Sequence, residues 1–182
     1  ERGIVRFGPF PYGMPAVNFP DIQGCNDERC ASVAESWVRL THNAWRARQL
    51  FSVIENMHPV SRSYFWDKPG TDALGVEQGP RTSPAWFFGS YSKDRYELAL
   101  EVVKKLRSIT KTAKTGTTKL RLVCPVKAEN PGNFCFTTKP LAHHSVKGWV
   151  NLCDDAFSTT RFCDDDPNNL DESVHHEPLH HV

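Results

Sequence analysis

The residues best suited to chemistry stand together in the segment Ser173-Val174-His175-His176-Glu177-Pro178-Leu179-His180-His181-Val182. Within it, His176, Glu177 and His180 have the spacing H-E-x-x-H. On a helix, residues four apart lie on one face, about one turn from each other. Two imidazoles so placed can hold one Zn²⁺ from the same side. A Glu directly after the first can act as general base toward a water that attacks a carbonyl. The chemistry would be metal-assisted hydrolysis of a peptide bond, with His176 and His180 as metal ligands and Glu177 as catalytic base. Pro178 has no N–H and would clash with the carbonyl of Val174 in a continuous helix. A helix carrying the motif therefore needs Pro178 in its first turn, and the stretch from Asp171 to Val174 is expected to be a loop or kinked turn. The competing reading is a His-rich tail, solvated or taking up metal without specificity. His143, His144, His175 and His181 are the reserve candidates for a metal.

Something must position these groups, and 182 residues are enough for one domain with a core. Hydrophobic residues are 39% and charged residues 24%, ordinary for a globular chain. With 22 Lys+Arg against 21 Asp+Glu the net charge is +1, which points to no nucleic-acid or membrane-surface partner. No apolar run approaches the roughly 20 residues of a membrane span. The chain begins at Glu1 with no visible signal peptide, and reads as a mature form whose targeting segment is gone. Six cysteines, none in a Cys-x-x-Cys pair, argue against a zinc ribbon or thioredoxin-type site and for three disulfides in a secreted domain. Fifteen connectivities are possible, and spacing does not choose among them.

Residues 1–24, with Pro9, Pro11, Pro15 and Pro20, read as an extended arm. Phe7, Phe10, Tyr12 and Phe19 suggest that it packs onto the body. A long helix follows, capped by Asn26 or Asp27. Its stripe is Val33, Ala34, Trp37, Thr41, Ala44, Trp45, Arg48, Phe51 and Ile54, and it should end near His58, before Pro59. Tyr64-Phe65-Trp66 open an irregular region that lasts to about Ser90. A second helix starts from Ser92 as N-cap and buries Tyr96, Leu98, Ala99, Val102, Val103, Leu106 and Ile109, fraying near Thr115-Gly116. Leu120–Cys124 reads as a strand, Asn130-Pro131-Gly132-Asn133 as a turn, Phe134-Cys135-Phe136 as the returning strand and Gly148–Cys153 as a third strand. Two helices and one three-stranded antiparallel sheet would form the body.

The order of these landmarks resembles the aspzincin metallopeptidases, the deuterolysin and peptidyl-Lys endopeptidase group of secreted fungal enzymes. The resemblance rests on Gly24-Cys25 before a long helix, Trp86-Phe87-Phe88-Gly89-Ser90-Tyr91 before a second, Val123-Cys124, then Val150-Asn151-Leu152-Cys153, then H-E-x-x-H a little over twenty residues on. It runs from about residue 24 to Val182. It implies an α+β fold: a mainly helical metallopeptidase-like domain with a small antiparallel sheet, stabilised by disulfides. It implies Zn²⁺ on His176 and His180, and Glu177 as the base that hydrolyses peptide bonds. The family's Asp ligand and the Tyr near it would lie beyond Val182, so the domain from 25 to 182 reads as lacking the family's C-terminal part. It also implies the disulfides Cys25–Cys124 and Cys135–Cys153, leaving Cys30 for Cys163 without family support. Three local pairs, Cys25–Cys30, Cys124–Cys135 and Cys153–Cys163, are the alternative.

The remaining chemistry-bearing residues have structural readings. His143-His144 are expected to be exposed loop histidines, and His42 and His58 to be structural. Trp37 and Trp45 are read as core aromatics. Asp154–Asp155 and Asp164–Asp166 lack the pattern of a Ca²⁺ loop and read as solvated. Lys104, Lys105, Arg107, Lys111 and Lys114 suit the C-terminal end of a helix dipole. The expectation is a secreted, monomeric zinc metalloendopeptidase acting on a protein or peptide substrate. The alternatives are a non-catalytic secreted zinc-binding protein on the same scaffold, such as an antigen, effector or metal scavenger, and a disulfide-stabilised binding protein with an incidental His-rich tail.

Overall fold

The computed structural model describes residues 16–68, 83–113, 120–138, 142–144 and 149–158, with Leu170, Ser173, Val174 and Glu177, and the backbone alone at 86, 87, 144 and 158. Among them are β1 (Asp21–Gln23), α1 (Asp27–Glu55), α2 (Pro59–Asp67), α3 (Pro84–Phe88), α4 (Lys93–Thr112), β2 (Arg121–Val123), α5 (Phe134–Thr137), β3 (Ala142–His144), β4 (Trp149–Leu152) and α6 (Asp154–Ser158). Helices dominate and the strands form one small sheet, so the fold is α+β. The chain divides into two units, one of Glu1–Trp45 with Lys105–Val182 and one of Arg46–Lys104.

The first unit is built on the sheet, in the order β1-β2-β4-β3. β1 and β4 both run parallel to β2, and only β3 is antiparallel, to β4. The sheet is thus mixed, which corrects the antiparallel expectation. Strands joined by a tight turn pair antiparallel, whereas β1 and β2 are separated by the long α1-to-α4 crossover that parallel pairing needs. β1 ties the end of the 1–24 stretch to the body: Asp21 N–H donates to Leu120 O at 3.2 Å, and Cys124 N–H to Gln23 O at 2.9 Å. Phe7, Phe10 and Tyr12 lie outside the described residues, but Phe19 does pack on the core. Gly24 has φ 71°, and an added Cβ would run into the carbonyl oxygen of Cys124, so glycine is required where β1 leaves the sheet.

α1 begins as expected, with Asn26 Oδ1 accepting from Arg29 N–H at 2.9 Å and Asp27 and Glu28 in the first turn. Val33, Trp37 and Leu40 repeat at helical steps and join Ile109, Leu120, Leu122, Val150, Leu152, Leu170 and Val174 in one core. Trp37 is 0% exposed, and its indole N–H donates to Asn18 O at 2.8 Å, tying residues just before β1 to the helix.

The unit Arg46–Lys104 has its own aromatic core of Phe51, Ile54, Trp66, Tyr96, Ala99, Leu100 and Val103. Phe51 stacks on Tyr96 at 5.8 Å and meets Trp66 edge-on at 6.5 Å. α1 ends at Glu55, where Arg62 supplies donors to its last carbonyls: Nη2 to Glu55 O at 2.7 Å and Nε to Met57 O at 3.1 Å. Tyr64-Phe65-Trp66 are helical, against the irregular reading. Pro59 suits a first turn, His58 is the N-cap, and burying Trp66 anchors the helix. Trp66 donates to Gly89 O at 2.8 Å, and Gly89, with φ 76°, closes α3 by giving its N–H to Ala85 O. Ser92 caps α4 as expected, its Oγ accepting from Arg95 N–H.

Two further readings are corrected. Phe134-Cys135-Phe136 are a helical turn, because Asn133 Oδ1 caps Cys135 N–H at 2.9 Å and bends the chain. His143 and His144 belong to strand β3, not to a loop. The disulfides Cys25–Cys124 and Cys135–Cys153 are formed. Cys30 is a free thiol that contacts Cys25 O at 3.4 Å, so the expected third pair is not made; Cys163 lies outside the described residues. Burial, with the Asp27 carboxylate nearby, pushes the Cys30 thiol up. No helix among the described residues is long and apolar enough to cross a membrane.

Candidate functional site

Of the residues with H-E-x-x-H spacing, Glu177 is described: it lies in a 3₁₀ turn and is half-buried. His176 and His180 lie outside the described residues, as do the reserve candidates His175 and His181. Leading into Glu177, Ser173 and Val174 are helical and buried, within the stretch expected to be a loop or kinked turn. Val174 and Leu170 anchor this stretch in the first unit's core. Glu177 is therefore carried three residues beyond an anchored helical turn. Its neighbours His176 and His180 supply the borderline-soft nitrogen donors that Zn²⁺ accepts, a donor set that fits the metal chemically. No group of three His, Cys, Asp or Glu side chains placed to hold a metal occurs among the described residues.

A second arrangement comes from the sheet. Because side chains alternate across a strand, paired residues share a face. Ile22, Leu122 and Val150 are in register and turn into the core. The next register row, Gln23, Val123, Asn151 and His143, takes the other face, with Asp21, Arg121 and Trp149 beside it. Gln23, Val123, Asn151, His143 and Trp149, with Asn133 and Phe134 from the α5 turn, line a cavity of about 500 Å³.

Its hydrogen bonds form a chain with one fixed end. The backbone N–H of Cys135 can only donate, so the Asn133 atom it meets at 2.9 Å is the carbonyl oxygen. That oxygen also faces His143 Nε2 at 3.1 Å, which makes Nε2 the protonated nitrogen. Asn133 Nδ2 then donates to Asn151 Oδ1 at 3.3 Å. Asn151 is only 6% exposed, and this bond satisfies its carbonyl. At the other end of the row Gln23 Nε2 donates to Asp21 Oδ2 at 2.6 Å. Phe134 stands at the rim, 59% exposed, with its ring 5.5 Å from that of His143. On the next row Arg121 lies over the Trp149 ring at 4.9 Å.

Sequence reasoning missed this group. His143 is half-buried and bonded where an exposed loop residue was expected. Asn133 was read only as a turn residue. The one available signal was the alternation Trp149-Val150-Asn151-Leu152, which puts Asn151 on the face opposite Val150 and Leu152.

The other assignments are structural. His58 Nδ1 accepts from Val60 N–H at 3.4 Å as the cap of α2. Trp45 is half-buried. Asp154 pairs with Arg29 at 2.6 Å, and Lys104 with Glu55 at 3.6 Å. Asp164–Asp166 and Lys114 lie outside the described residues. Comparison with protein-family models, curated proteins and solved structures gives no match to this chain.

Proposed function

We propose that this protein is a secreted zinc-dependent metalloendopeptidase of the aspzincin kind, acting on protein or peptide substrates. The observation that carries the reading is the disulfide pairing. Spacing left fifteen connectivities open, and the resemblance alone implied Cys25–Cys124 and Cys135–Cys153. Both are formed. Disulfides persist in oxidising compartments, which supports secretion.

His176 and His180 would hold the metal, with a carboxylate as third protein ligand. Zn²⁺, when bound, polarises the scissile carbonyl and makes a water nucleophilic near neutral pH. Glu177 takes the proton of the attacking water and delivers it to the leaving amine. Its half-buried setting on an anchored turn suits that task, because a base must be held in reach of substrate and still exchange protons.

Metal content and cleavage of an unfolded protein substrate, measured on one zinc-supplied sample, test this. His176→Ala should lose stoichiometric zinc. Glu177→Gln should keep zinc and the fold while losing about 10²-fold or more in kcat, since an amide cannot accept the proton. Wild type that retains zinc and cleaves nothing would end the enzyme reading and leave a zinc-binding protein on the same scaffold. Zinc held as tightly by His176→Ala as by wild type would end the assignment of the site.

A further inference from the structure

We propose that the amide-lined cavity on the polar face of the sheet binds an uncharged, polyhydroxylated ligand, a short neutral saccharide. The described residues that lead into the zinc segment pack on the opposite face of the sheet from this cavity. Val174 and Leu170 pack with Leu122 and Val150, on the face of the sheet that Gln23, Asn151 and His143 turn away from.

The bonds already made determine what the cavity offers. Gln23 spends its amide N–H on Asp21, so Oε1 remains as an acceptor among the described residues. Asn151 spends its carbonyl on Asn133, which leaves Nδ2 as a donor. His143 spends Nε2–H on Asn133, which leaves Nδ1 as an acceptor. Two acceptors and one donor face the ligand along a single register row. A hydroxyl group is both donor and acceptor, and a ring bearing several can satisfy all three at once. A peptide backbone offers a single N–H per residue and fits an acceptor-rich row less well.

Charge narrows the class. Among the described residues, Glu129 is the one carboxylate on the lining, it is exposed, and no Lys or Arg lines the cavity. A phosphate, sulfate or carboxylate ligand would therefore meet no cation among the described lining residues, and would lose hydration there without return. The apolar contribution comes from the exposed ring of Phe134, a surface onto which the C–H face of a sugar ring can settle, with Trp149, over whose ring Arg121 lies, adding to the wall. A volume of about 500 Å³ lies within the range of small-ligand sites. The polar groups are also held before any ligand arrives. Asn133 is fixed by the backbone at Cys135, whose side chain is tied to Cys153, so little rotamer freedom remains to be lost on binding.

The experiment is a titration of the full-length, zinc-supplied protein with maltotriose, cellotriose and chitotriose, and separately with capped trialanine. The readout is the NMR side-chain amide signals of Gln23, Asn133 and Asn151. At least one trisaccharide should shift these signals saturably, while trialanine leaves them in place. Phe134→Ala, at an exposed position that the fold tolerates, should weaken that binding about five- to tenfold, and Gln23→Leu by a similar factor. His176→Ala should bind the sugar as wild type does, which separates this site from the proposed zinc site. Four results would overturn the proposal: no saccharide shifting the signals up to about 20 mM, trialanine shifting them in place of the sugars, undiminished sugar binding by both Phe134→Ala and Gln23→Leu, or loss of sugar binding in His176→Ala.

Discussion

On one face of the sheet, Ile22, Leu122 and Val150 form an apolar row across β1, β2 and β4; on the other, Gln23, Val123, Asn151 and His143 form a row interrupted by amides and an imidazole. Alternate residues of the same strands make both. The apolar row gains stability from area removed from water, a term without direction, so any well-shaped hydrophobe contributes. The polar row works through directed bonds. Each member is satisfied only if its neighbour points the right way, and the direction is set from one end, at the Cys135 N–H. A defect on the apolar face should act in proportion to volume. A defect on the polar face should act by orphaning its neighbours.

The largest effect should come from the covalent tie beside both faces. Replacing Cys25 and Cys124 together by Ala releases a loop spanning 99 residues, worth about 4–5 kcal/mol in the chain-entropy picture. Denaturant melts of this double variant should show it, and a loss below about 1 kcal/mol would mean that the rest of the fold already restrains the unfolded chain. Next, Trp37→Ala on the apolar side should lose about 3–5 kcal/mol, from the fully buried indole and the bond to Asn18. An unchanged melting temperature would show that this core tolerates voids. Smallest, Asn133→Ala should lose about 1–3 kcal/mol by removing the cap of α5 and stranding the Asn151 carbonyl. Its more diagnostic effect is on His143, which should lose its preference for the Nε2–H tautomer in imidazole ¹⁵N spectra. A preference that survives Asn133→Ala would show that the two faces are less different than their bonds suggest.

Elements that repeat over many turns were legible: α1 from Val33 to Ile54 and α4 from Tyr96 to Ile109 carry enough periodic apolar positions to be read directly, although Leu98, expected on the buried side of α4, is 55% exposed. Short elements were not. β1 and β3 are three residues long each, too short for a periodic pattern, and both exist because β2 and β4 are there to pair with. α2 was hidden because Tyr64-Phe65-Trp66 suit a strand by type, while Pro59 and the burial of Trp66 decide for a helix. The two kinds of site differ in the same way. H-E-x-x-H is local, so His176, Glu177 and His180 could be named from spacing. Gln23, Asn133, His143 and Asn151 come from separate stretches and meet only through sheet register, which no local pattern encodes.

The bridge from Cys25 to Cys124 also has a consequence for the integrity of the chain. All of Arg46–Lys104, with its aromatic core, lies between its two ends. A single cut anywhere from residue 26 to residue 123 therefore breaks a peptide bond and releases nothing. The nicked molecule keeps its mass but for one water, migrates as one species until a reductant is added, and can retain both faces of its sheet. Exposed to a protease, this chain can be clipped inside that loop and still be one molecule.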